Sequence, residues 1–76
     1  MENIEINPKI MLGKPVIKGT RITVEHIISL LAQDNSVAEI LQEYDGISKA
    51  DILACLQYAE SVMNKTSIFD LDKLAS

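Results

Sequence analysis

Gly13-Lys14-Pro15-Val16-Ile17-Lys18-Gly19-Thr20-Arg21-Ile22-Thr23-Val24 is the stretch on which the fold turns. Upstream of it the chain alternates and breaks like strand and turn. Downstream, apolar residues recur every three or four positions, as a helix requires. The stretch holds two of the three glycines, one of the two prolines and three of the seven Lys and Arg residues. Pro15 has no amide hydrogen to donate, so a strand through it must be an edge or must start there. Val16 and Ile17 are β-branched and suit a pleated surface. Gly19 supplies a turn or bulge where φ is positive. Thr23 stands just before the first helical repeat, where a hydroxyl can cap free amides.

Working upstream, Ile4-Glu5-Ile6 alternates as a short strand does, and Asn7-Pro8 marks a turn. Ile10-Met11-Leu12 is a brief apolar run closed by Gly13-Lys14-Pro15. Residues 4–22 are therefore expected to form a small hairpin or a set of short β segments. An isolated hairpin is not stable in water. This one must pack on the helices or pair with the same segment of a second chain.

Downstream, the spacing predicts three helices. The first starts at Thr23 as its cap, carries Glu25 in its first turn, and presents Val24, Ile27, Ile28, Leu30 and Leu31. Asp34-Asn35 should stop it, with Asn35 in the left-handed position. The second starts at Ser36, where Glu39 three residues on completes a capping box. Val37, Ile40, Leu41 and Tyr44 form its face, and Asp45-Gly46 ends it. The third starts at Ser48 with Asp51 as a weaker box. Ile52, Leu56, Ala59 and Met63 are its expected stripe, flanked by Leu53, Cys55 and Val62, with a stop at Asn64. Residues 1–63 then make one domain, and residues 64–76 a tail. In that tail Ile68, Phe69, Leu71 and Leu74 would suit a turn or two of amphipathic helix. They dock on the chain's own core or a dimer partner, or on another protein, or the tail is disordered and has no function of its own. The expected architecture is mainly α: a three-helix, homeodomain-like helix-turn-helix bundle behind a short N-terminal β-hairpin.

A chain of 76 residues has room for one domain and buries only about 60% of its unfolded surface. Its 47% hydrophobic content is high for that size, which points to self-association or a partner. The net charge is −4, unevenly spread: residues 1–21 sum to +2 and residues 22–76 to −6. A basic N-terminal face on an acidic body is the implied arrangement. Cys55 is alone, so there is no disulfide framework, and its apolar helical position marks a buried inert thiol. There is no charged-then-apolar leader pattern and no apolar run near the ~18 residues of a membrane span. A cytoplasmic location is expected.

The second and third helices, joined by Asp45-Gly46-Ile47, have helix-turn-helix proportions. In such a pair the second helix offers its N-terminal residues to a major groove. Here those are Ser48, Lys49, Ala50 and Asp51, with Gln57 and Glu60 further on; Asp51 and Glu60 would oppose phosphates. The pair can equally be a purely structural core. Lys14, Lys18 and Arg21 are better placed for phosphate on a β arm, or else pair with carboxylates of the acidic body. The Gly-Lys-Pro-Val-Ile-Lys-Gly-Thr run is not a phosphate loop, which needs Lys between its second Gly and the Ser or Thr. His26 and Cys55 alone cannot build a metal site. No nucleophile–base set can be assembled, so neither an enzyme, a metal, a cofactor nor a small-molecule substrate is expected.

These residues resemble the small bacterial family filed as domain of unknown function 433. The resemblance rests on Asn7-Pro8, the run Gly13 to Val24, Leu30-Leu31-Ala32, Ser36-Val37-Ala38-Glu39-Ile40-Leu41, Tyr44 and Ile52 to Ala59. The family often has Gly after its first helix and Pro after this Tyr; Asp34-Asn35 and Asp45-Gly46 stand here instead and still end helices. The resemblance implies a homeodomain-like, commonly dimeric domain and a role like that of VapB-type antitoxins. Those neutralise PIN-like ribonuclease toxins with a C-terminal segment and bind their own operator DNA. Carried to this chain, it makes Lys14, Lys18, Arg21, Ser48 and Lys49 the candidate DNA contacts. It makes Ile68, Phe69, Leu71 and Leu74 the toxin anchors and Lys73 a cation for the nuclease site. The other class open to the sequence is an oligomeric protein-interaction module that does not touch DNA.

Overall fold

The computed structural model describes the backbone of residues 2–75 and the side chains of residues 2–65. In it, residues 13–24 form the joint between sheet and helices. Strand β1 (Ile4–Glu5) pairs antiparallel with β2 (Val16–Ile17), Ile4 opposite Ile17 and Glu5 opposite Val16. β2 begins directly after Pro15, as the missing amide requires. The chain then reverses. The Thr20 amide and hydroxyl both donate to the Ile17 carbonyl, at 3.0 and 2.8 Å, and Gly19 takes φ 82 in the turn. The Ile17 amide donates to the Ile22 carbonyl and the Val24 amide to the Pro15 carbonyl, both at 2.9 Å. Ile22 and Thr23 thus run back along β2, with Val16 bridged to Thr23. Thr23 also accepts from the His26 amide through Oγ1 at 3.1 Å. One residue closes the sheet and opens the first helix.

That helix, α1, spans Val24–Ala32; α2 spans Val37–Glu43 and α3 Lys49–Ala75. The caps fall where the sequence places them. Ser36 and Glu39 form a reciprocal capping box. Ser48 and Asp51 do the same, with the Ser48 amide donating to Asp51 Oδ2 at 2.9 Å and the Asp51 amide to Ser48 Oγ at 3.3 Å. Val16, Ile17, Ile27, Ile40, Ile52 and Cys55 are the innermost side chains, so every strand and helix except β1 contributes at least one, and Ile4 of β1 joins the core. Fully burying an aliphatic side chain contributes about 1.5–3 kcal/mol, so this one cluster binds the sheet to all three helices. The molecule is mainly α, with three helices behind a two-stranded sheet. Among the described residues no helix is long and apolar enough to cross a membrane.

Four expectations change. First, the Ile10-Met11-Leu12 run is not a β segment. Met11 and Leu12 take φ 49 and 58, and Gly13 φ 81, in a tight left-handed turn that leaves Leu12 94% exposed. The left-handed region costs an L side chain about 1–2 kcal/mol per residue. Ile6, beyond the end of β1, is exposed as well. Second, Asp34 rather than Asn35 takes the left-handed position after α1, at φ 71. Asn35 is held instead by its own amides: its backbone and side-chain N–H groups both donate to the Leu30 carbonyl. Third, the buried stripe of α3 is Ile52, Ala54 and Cys55, with Tyr58 and Ala59 half-buried; Leu53, Leu56 and Met63 are exposed. The helix is rotated because β1 and α1 both pack on it. Fourth, α3 does not stop at Asn64. Asn in a helix interior costs only a few tenths of a kcal/mol to under 1, and no Gly or Pro follows, so the helix continues to Ala75.

Candidate functional site

Asn3 organises one edge of the molecule. Its carbonyl accepts from the Lys18 amide at 2.8 Å. Its side-chain amide donates to Asp51 Oδ1 at 2.9 Å. The turn carrying Lys18 and Arg21 is therefore fastened beside the N-terminal end of α3, where Ser48 and Lys49 lie. Four of the candidate DNA contacts are brought to this edge. Lys18, Arg21 and Lys49 are exposed and form no ion pair among the described residues.

The carboxylate at the centre of that edge is already committed. Asp51 titrates below the usual aspartate range, chiefly because the Asn3 amide stabilises its charge, with the Ser48 backbone and hydroxyl adding to this and partial burial opposing it. The hydroxyl of Ser48 serves the cap, donating to Asp51 Oδ2 at 3.2 Å. The edge thus exposes lysine and arginine around an ionised carboxylate that accepts hydrogen bonds from Asn3 and Ser48.

Lys14 is not part of this edge. It pairs with Glu25 of α1. Together they stand at the rim of an apolar groove of about 440 Å³ lined by Pro15, Val24, Ile28, Tyr58, Ala59, Val62 and Met63. Elsewhere, His26 Nε2 lies 2.8 Å from the Tyr44 hydroxyl, with the rings edge to face, so the lone histidine ties α1 to the end of α2. Cys55 is fully buried, and desolvation with the nearby Asp51 charge pushes its thiol up to about 11. Among the described residues no group of three or more His, Cys, Asp or Glu could hold a metal ion.

The partner-binding candidates Ile68, Phe69, Leu71, Lys73 and Leu74 have side chains outside the described residues. Their backbone belongs to α3. Sequence reasoning missed two positions. Asn3 carries no local signal, since its bond spans 48 residues. Leu12 was legible only as an apolar run broken by Gly13-Lys14-Pro15.

The sequence model of the family described as protein of unknown function (DUF433) matches residues 4–59. An uncharacterized protein of Archaeoglobus fulgidus is 60% identical over 25 residues, which are 33% of this chain and 69% of that protein. The crystal structure of a DUF433 member from Anabaena variabilis superposes with a TM-score of 0.78 at 26% identity, covering 97% of this chain and 69% of that one. That coverage reaches past Ala59 into the second half of α3. From the match over residues 4–59, which takes in both strands, α1, α2 and the packed half of α3, the chain belongs to the DUF433 family.

Proposed function

We propose that this chain is a small, cytoplasmic, non-enzymatic regulator of the antitoxin type. It acts as a homodimer, neutralises a PIN-like ribonuclease toxin and binds its own operator DNA. The observation that carries this reading is the course of α3. Its first turn is fastened by Asn3 to the basic Lys18–Arg21 turn. From Ser61 to Lys65 every residue is exposed, and the helix goes on to Ala75. A 27-residue helix is about 40 Å long, against 47 Å for the longest dimension of the molecule. One helix runs from the basic edge on to Ala75.

In this reading Lys18, Arg21 and Lys49 contact phosphates. The arm, whose sequence includes Ile68, Phe69, Leu71 and Leu74, occupies the toxin, and Lys73 is set against its acidic, metal-binding centre. Deleting residues 65–76 is expected to abolish both co-purification with the toxin and inhibition of its ribonuclease activity. The thermal midpoint should change little, because the core lies before residue 60. Inhibition that survives the deletion sinks the assignment of the arm.

A second reading is an oligomeric interaction module without DNA contact. It is favoured by the pairing of Lys14 with Glu25 and by the acidic balance of −4. Titrating the chain's own promoter at low salt separates the two; no detectable binding there leaves the second.

A further inference from the structure

The left-handed turn at Met11-Leu12-Gly13 is unexplained by the fold. It holds two bulky L residues at positive φ and leaves Leu12 94% and Met11 43% exposed. Backbone strain persists where something over-determines it, and among the described residues nothing covers this side chain. Two residues further on, Lys14 and Pro15 line the apolar groove between α1 and α3. Leu12 and the mouth of the groove are therefore within about 7 Å along the backbone. Knob and groove are neighbours along the chain.

We infer that this face is where two copies of the chain meet, with Leu12 of each seated in the other's groove. The inference rests on the homodimer reading above and names its surface. A twofold interface is self-complementary, so a protruding group and its receptor must both be present on each copy, side by side. Here they are. The groove offers Pro15, Val24, Ile28, Tyr58, Val62 and Met63 to an aliphatic guest. Charge agrees as well. Lys9, three residues before Leu12, is exposed and without an ion pair among the described residues. Glu25 at the groove rim is exposed and uses only Oε1 for Lys14, leaving Oε2 for the lysine that arrives with Leu12. The high apolar content of so short a chain fits a surface covered in this way.

The test is the solution mass of the full chain by sedimentation equilibrium. Wild type is expected at twice 8.4 kDa. Leu12→Asn keeps a residue that tolerates the left-handed turn and should weaken dimerisation at least about 100-fold, since two buried leucines are lost per dimer. Its far-ultraviolet circular dichroism should stay unchanged. A second measurement does not depend on that variant's folding. Leu12→Cys and Met63→Cys chains, mixed and oxidised, should form a disulfide between chains. A Leu12→Asn chain that stays dimeric, or a mixture that does not cross-link, overturns the docking while the homodimer reading stands. A wild-type monomer at every concentration overturns both.

Discussion

Asp51 does three jobs with one carboxylate. It closes the capping box of α3, accepts from Asn3, and thereby ties the N-terminal segment to the first turn of α3 while staying ionised. Its folded pKa lies below the ordinary value, so the linkage has a definite sign. The stabilisation is fully present above the unfolded value of about 3.9 and is lost as pH falls through the lowered folded value. Asp51→Asn keeps the size of the side chain but cannot accept at both oxygens. Near neutral pH it should cost about 1 kcal/mol, a fall in thermal midpoint of roughly 4–8 °C for a domain of this size. Melts at successively lower pH should bring variant and wild type together once the pH has fallen through the lowered folded value and the aspartate is protonated. A gap that does not close with acid would mean that the lost interaction is packing. Sequence reasoning found the Ser48–Asp51 half of this arrangement, because a cap is local. Asn3 was invisible to it, because its partner lies at the far end of the fold.

The turns and caps that delimit the helices and strands were the most legible part of this sequence. Thr23, Ser36 and Ser48 cap as their spacing says, because each bond spans three residues and needs no tertiary help. What the pattern could not set was the rotation of α3 or its length. Leu56 and Met63 fit a helical repeat as well as Cys55 does, and only the placement of β1 and α1 decides which face is covered. The Gly19 turn can be tested alone. Its φ is 82, and among the described residues nothing lies within 4 Å of where a Cβ would stand. The penalty for Gly19→Ala is therefore conformational, about 1–2 kcal/mol, and Gly19→Asn should lose less because Asn tolerates this region. Urea unfolding should show a lowered midpoint with an unchanged slope. Equal losses for both variants would show that the turn is held by contacts beyond its own backbone.

Charge is distributed over the molecule so that an acidic body presents a basic margin, and this is the feature that separates a DNA-binding regulator from an interaction module. Non-specific affinity for a duplex comes from phosphate neutralisation, and its salt dependence counts the contacts. Lys14 should not be counted, since it is paired with Glu25. On the Asn3-fastened edge the cations left without a pair among the described residues are Lys18, Arg21 and Lys49. In a dimer that engages all of them, the slope of log K against log salt should be roughly −5. Lys18→Ala with Arg21→Ala leaves the two Lys49 side chains, and the slope should flatten to roughly −2. Lys14→Ala should leave the slope nearly where it was, although the sequence groups Lys14 with the other two. Fluorescence anisotropy on the chain's own promoter, from low to moderate salt, reads all three. The order of effects matters more than the slopes. If Lys14→Ala flattens the dependence as much as the double variant, the anion face is the hairpin and not the Asn3-fastened edge. If no variant changes it, DNA is not the ligand of this margin.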